Sequence, residues 1–382
     1  MEQDWITLTD PDISTHELAA VTNVLKSPRV SAGPVVEHFE DAFAESIGRR
    51  YGLAVSSGTI ALMVSLRALG IGPGDEVIAS AYSWHQIAHA IVLVGATPIF
   101  ADIDYWSGTM AVDKAAARIT PNTRAIVVGN TNGHPAAWGP FRALAMEHGI
   151  KLIEDSTEAI GSRYQGQLVG SFGDLAIFDF SQPSALVCGE GAMIVTDDPS
   201  LASELRYHRS RGLDERFSIA IASRVPYQAP ISDMSAALGL AQLDRLDEIL
   251  ARRKCVEGYY SEHIQSFEGI KPPYIAPEVD EVHWMVYVVH LGTRFTRSAR
   301  NQIVDDLATA EVEVPAYCNP LHLQYFYGTL GYKKGDLFVT EKIADRSLAL
   351  PFHAHLDDDT IQFIVATTKD SSINVGAGAA IY

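Results

Sequence analysis

Four short segments carry side chains suited to chemistry, and each follows an apolar run. Ser56-Ser57-Gly58-Thr59 comes after Tyr51–Val55. If these small residues open a helix, their backbone N–H groups can hold a phosphate at its positive end. Tyr82-Ser83-Trp84 follows the run ending at Ser80, and Asp155, with Ser156 and Glu158 behind it, follows the run from Lys151 to Glu154. The fourth segment, Asp179 to Ser184, precedes the turn Gly189-Glu190-Gly191. Each has a plainer reading on its own, since a strand-end aspartate is often only a helix cap and Ser-Gly-Thr is a common turn. Their shared placement after strands is the informative feature, because open α/β sheets bind ligands at the carboxyl ends of their strands.

The elements that position these residues are legible in the hydrophobic pattern. Runs at Glu76–Ser80, Thr97–Ala101, 125–128, 151–154, 175–180 and Ala192–Thr196 read as strands. Between them, 59–68, 84–94 and 140–148 read as amphipathic helices, an alternation that predicts a mostly parallel sheet covered on both faces. From Ser232 a long helical pattern reads as a connector into a smaller α+β unit. The expected architecture is therefore α/β, with a large domain over 1–250 and a small C-terminal domain over 251–382.

Bulk composition excludes several classes. The 382 residues are 47% apolar and 20% charged, as in a globular enzyme. The net charge of −18 argues against nucleic acid or an anionic membrane as partner. No apolar run is long enough for a membrane span, and MEQDWITLTD lacks the layout of a signal peptide, so a cytoplasmic protein is expected. Three scattered cysteines, Cys188, Cys255 and Cys318, form neither a disulfide framework nor a CxxC metal site. His85 and His89 are spaced i, i+4 without an adjacent glutamate, and no metal is expected. His353-Ala354-His355 reads as a surface turn, and Cys188 as a small buried residue.

Beyond these patterns, almost the full length resembles the DegT/StrS sugar aminotransferases, which have the aspartate-aminotransferase fold. The blocks that carry the resemblance include SPRVSAGPVVEHFEDAFAESIGRRYGLAVSSGTIAL, GPGDEVIASAYSWHQIAHAIVLVGATPIFADID, GIKLIEDSTEAIGS, GSFGDLAIFDFSQPSALVCGEGAMIVTDD, SAALGLAQLDRL, PLHLQ and GDLFVTEKIADRSLALPFH. The resemblance implies pyridoxal or pyridoxamine phosphate, with Asp155 at the ring nitrogen, Trp84 stacked on the ring, and Gly58 and Thr59 at the phosphate. It also implies a homodimer, a polar small-molecule substrate such as a sugar or aminocyclitol, and His322 lining the substrate cleft.

Five positions depart from that pattern. The lysine that would form the imine aligns with Ser184, and neither Lys151 nor Lys254, the nearest lysines on either side, is placed to replace it. A hydroxyl cannot condense with an aldehyde, and it is a poor proton shuttle without a base beside it. The phosphate-binding serine aligns with Asp179, the glutamine beside the ring oxygen with Glu158, the asparagine lent across the dimer with Gln228, and the arginine two residues on with Pro230. With both acids ionised, the pocket would be three charge units more negative than its relatives'. Ordinary transamination is therefore not expected. The first reading keeps the cofactor with altered, dehydratase-like chemistry, and nominates Ser184, Ser181 and His322 for proton transfer. The second reuses the fold without the cofactor, for another reaction or as a non-catalytic partner. The third is a transaminase whose lysine was exchanged for crystallography.

Overall fold

The computed structural model describes residues 5–210, 225–264 and 270–379. The central sheet contains β1 (Tyr51–Val55), β2 (Glu76–Ser80), β3 (Thr97–Ala101), β4 (Thr123–Gly129) and β5 (Lys151–Asp155). After the short hairpin of β6 (Arg163–Tyr164) and β7 (Gln167–Leu168), it is completed by β8 (Leu175–Asp179) and β9 (Ala192–Thr196). Their spatial order is β1-β9-β8-β5-β4-β2-β3. Every pairing from β8 through β3 is parallel, whereas β9 runs antiparallel to both β1 and β8. The strands are almost continuously apolar because helices cover both faces of the sheet.

Helices 58–68, 85–93 and 199–209 contribute Leu62, Ile91 and Leu205 to the core on one face. Ser57 caps the first of them, its hydroxyl accepting from the Ile60 N–H. The connector expected from Ser232 is two helices, Asp233–Asp244 and Leu246–Ile264, broken at Arg245. The Arg245 guanidinium bonds Glu17 at 2.7 Å and Asp12 at 3.0 Å, tying the break to the start of the chain.

The C-terminal layer is an antiparallel sheet of β10 (Ile270–Lys271), β12 (Tyr287–Leu291) and β13 (Ser347–Leu350). Between β10 and β12 in sequence lies β11 (Val279–Glu281), which pairs with β6, so that β11, β6 and β7 form a third, small sheet. Residues 6–8 also join this layer: Ile6 bridges Val312, and the Leu8 carbonyl accepts from Phe352. One buried cluster runs from Ile78 and Phe141 beneath the large sheet to Tyr287, Leu348 and Phe352 of the small one. Arg253, on the second connector helix, donates to the carbonyls of Trp284, Met285 and Phe352 and fastens that junction. Among the described residues, no helix is long and apolar enough to cross a membrane.

Candidate functional site

Parallel strands bring the four chemical segments together. β2, β8 and β5 end at Ser80, Asp179 and Asp155, and the chain after each enters the same region. Glu154, one residue before the end of β5, is fully buried and structural. It accepts from the backbone N–H groups of Gly170, Phe172 and Gly173, the Ser156 hydroxyl and the Asn130 amide. These bonds fix where Asp155 emerges.

A cavity of about 310 Å³ opens between the two sheets, with Trp84, Glu158, Pro183, Val286, Tyr317 and Cys318 among its walls. Trp84 stands at the N-terminus of helix His85–Leu93 and is partly buried. Glu158 is 8% exposed, and its carboxylate accepts from the Asn132 N–H and, at 2.6 Å, from the Tyr317 hydroxyl. Burial pushes the Glu158 carboxyl up to about 7, against the pull of these bonds and with a contribution from nearby Asp155. It is poised to gain or lose a proton near neutrality.

Two of the ten expected site residues, Trp84 and Glu158, line this cavity. Asp155 is partly buried and is not among the walls: one carboxylate oxygen accepts from the Thr157 N–H at 3.1 Å, and desolvation pushes the group up to about 6. Ser184 is partly buried and turned into a local bend, where its hydroxyl accepts from the Leu186 N–H at 3.3 Å. The neighbouring Pro183, not Ser184, reaches the wall. Ser181 is held by its own N–H, which donates to Asp179 at 2.9 Å.

Asp179 is 5% exposed and sits at the mouth of helix Gly58–Ala68. Its carboxylate accepts from the Gly58 N–H at 2.9 Å. A Cβ at position 58 would lie 2.3 Å from that same oxygen, so the carboxylate lies directly against the glycine. Thr59 is the next residue of the same turn and is partly buried. Gln228 is exposed, with a left-handed φ of 54°, in a segment where Ala229 accepts from the Ser56 N–H.

Two expectations are corrected. His322 does not line the cavity: it is fully buried, with Nε2 3.0 Å from Glu341 and its ring 6.3 Å from that of Tyr332. It lies in the short 3-10 turn that follows Pro320, and its neighbours Leu321 and Gln324 are among the cavity walls while it is not. His353 is likewise not a surface residue: it is 6% exposed, and burial pushes its imidazole down to about 4, while His355 is exposed. Cys188 is buried, its thiol pushed up to about 12 by desolvation. His85 and His89 have ring centroids 4.8 Å apart, but among the described residues no group of three potential ligands could hold a metal.

The cavity residues that sequence reasoning missed include Leu8, Val286 and Tyr317. They arrive from the chain start and the C-terminal layer, and no local motif marks them. The one available signal was that Tyr317 lies just before PLHLQ.

Comparison with known proteins accords with this architecture. GDP-perosamine synthase of Caulobacter vibrioides is 34% identical over 365 residues, spanning 94% of this chain and 96% of that one. The spore coat polysaccharide biosynthesis protein SpsC of Bacillus subtilis is 32% identical over 373 residues, spanning 94% and 95%. Among solved structures, the PMP form of the putative sugar aminotransferase Spr1654 from Streptococcus pneumoniae superposes with a TM-score of 0.93 at 26% identity, covering 98% of this chain and 100% of that one. The family model for DegT/DnrJ/EryC1/StrS aminotransferases matches residues 11–369, and the chain belongs to that family.

Proposed function

We propose that this chain binds a polar small molecule of the sugar or aminocyclitol class in the cavity beside Trp84 and Glu158, and serves a biosynthetic pathway without lysine-based transamination. The observation that carries this reading is Ser184, a hydroxyl committed to the Leu186 amide where imine chemistry requires a free amine. The names of its relatives support a sugar-like ligand, because they concern perosamine and polysaccharide synthesis and a sugar aminotransferase.

The solved relative is a PMP form, and Asp155 and Trp84 of this chain are of the types such a cofactor uses. The remaining residues do not fit the group. The amine is missing, and a carboxylate stands at the helix end where a phosphate would need donors. Of the readings drawn from sequence, reuse of the fold without the cofactor is therefore favoured over altered cofactor chemistry. Glu158, titrating near neutrality on the cavity wall, then holds or releases a proton toward a ligand hydroxyl. Three free cysteines support a reducing, cytoplasmic setting. Exposed Leu18, Leu25 and Val30 on and beside the first helix support a homodimer.

The test is ligand binding by protein stripped of vitamin B6 compounds. Saturation-transfer NMR against nucleotide sugars and aminocyclitols should reveal a ligand whose signal is lost in Trp84→Ala. No ligand from either panel, or a protein-bound chromophore at roughly 330–420 nm that survives desalting after pyridoxal phosphate is added, would overturn the proposal. A yellow, transaminating Ser184→Lys protein would instead support a lysine exchanged for serine.

A further inference from the structure

We propose that the anion position at the start of helix Gly58–Ala68 is filled by the chain's own Asp179 carboxylate, so that the cleft receives a ligand with no phosphate there. This deepens the cofactor-free reading above, but its readout is phosphate-specific binding and not sugar binding, so either can fail alone.

A helix N-terminus carries about half a positive charge and unsatisfied N–H groups, and so attracts one anion. Here the anion is internal. One Asp179 oxygen takes the Gly58 N–H at 2.9 Å and the other takes the Ser181 N–H at 2.9 Å. The backbone that carries it is fixed, because its own N–H donates to the Thr157 hydroxyl at 3.1 Å and it is the last residue of β8. The space is filled as well as the charge: the carboxylate oxygen lies where even a Cβ on Gly58 would be 2.3 Å away. The Ser57 hydroxyl satisfies the Ile60 N–H one turn position further on. An incoming phosphate would have to displace Asp179 from two amides and then remain beside its charge.

Removing the carboxylate should therefore create a phosphate site. Asp179→Ser releases the Gly58 and Ser181 amides and opens the volume of a carboxyl group. Asp179→Asn keeps the shape and an acceptor oxygen but removes the charge, which separates repulsion from crowding. Titration calorimetry on the full chain would compare pyridoxamine phosphate, pyridoxamine and inorganic phosphate, with near-UV circular dichroism confirming that each variant is folded. The wild type should bind pyridoxamine phosphate no better than pyridoxamine. Asp179→Ser should bind the phosphorylated form at least tenfold tighter than the wild type, with pyridoxamine unchanged and inorganic phosphate competing. Asp179→Asn should show a smaller gain. A wild type that prefers the phosphorylated form tenfold or more, or folded variants with no phosphate-specific gain, overturns the proposal.

Discussion

Replacing Glu158 by glutamine should make the protein more stable at high pH and leave it little changed at low pH. The carboxyl is raised from an ordinary 4.5 to about 7, chiefly by burial. A raised carboxyl favours the folded state most when protonated. That contribution is complete below about pH 4.5 and is lost as pH rises through about 7, where an ionised carboxylate is held in the cavity wall. The difference of about 2.5 pH units, at about 1.4 kcal/mol each, amounts to about 3 kcal/mol across the window. Glutamine keeps a carbonyl to accept from the Tyr317 hydroxyl and the Asn132 amide, so the change isolates the charge. An unfolding entropy of about 2 cal/mol/K per residue gives about 0.8 kcal/mol/K for a chain of this length, and hence a Tm difference of about 4 °C. Thermal melts of both proteins from pH 4.5 to 8 should show Glu158→Gln nearly level with the wild type at the acid end and about 4 °C above it at the alkaline end. A difference that stays flat across the range would mean that Glu158 titrates alike folded and unfolded, and would refute the account of the cavity.

Other perturbations have equally definite outcomes. Arg245→Ala should cost about 3 kcal/mol in thermal melts, because it strips the cation from buried Glu17 and leaves Asp12 with Arg252 alone. Burial pushes Glu17 upward, yet bonds from Ser14 and Arg245 hold it down to about 2. This depressed carboxyl contributes stability above about pH 4.5 that is lost as pH falls toward 2, and the variant should lose much of that acid sensitivity. Gly58→Ala should destabilise by about 1–3 kcal/mol in the same assay, since its Cβ must push Asp179 off the helix end. A thiol reagent at pH 8 should modify exposed Cys255 quickly, whereas Cys188 and Cys318, both pushed up to about 12, should react slowly in peptide mapping.

The sheet was legible because buried parallel strands are uninterrupted apolar runs, and Glu76–Ser80, Thr97–Ala101 and Ala192–Thr196 have the ends their sequences suggest. The antiparallel direction of β9 was not legible, since orientation depends on the connection and leaves no periodicity in the strand. The break at Arg245 was hidden for a similar reason: the helical pattern continues through it, and the ion pairs with Asp12 and Glu17 come from more than 200 residues away. At the site, Trp84 and Glu158 were found because they follow strand ends, where ligands gather. Tyr317, Val286 and Leu8 were missed because they reach the cavity from another layer. His322 was misjudged because an imidazole paired with a buried carboxylate has the same letter in the sequence as one facing a ligand.

The apolar cluster that passes from beneath the large sheet into the small one has a practical meaning for anyone dividing this protein. A cut near residue 250 would leave Ile78 and Phe141 on one fragment and Tyr287, Leu348 and Phe352 on the other, each with half of a shared interior facing water. Such fragments should be insoluble when made singly and soluble when made together. They would form a split pair whose reassembly needs no added affinity tag, because the missing half of the interior is itself the recognition surface.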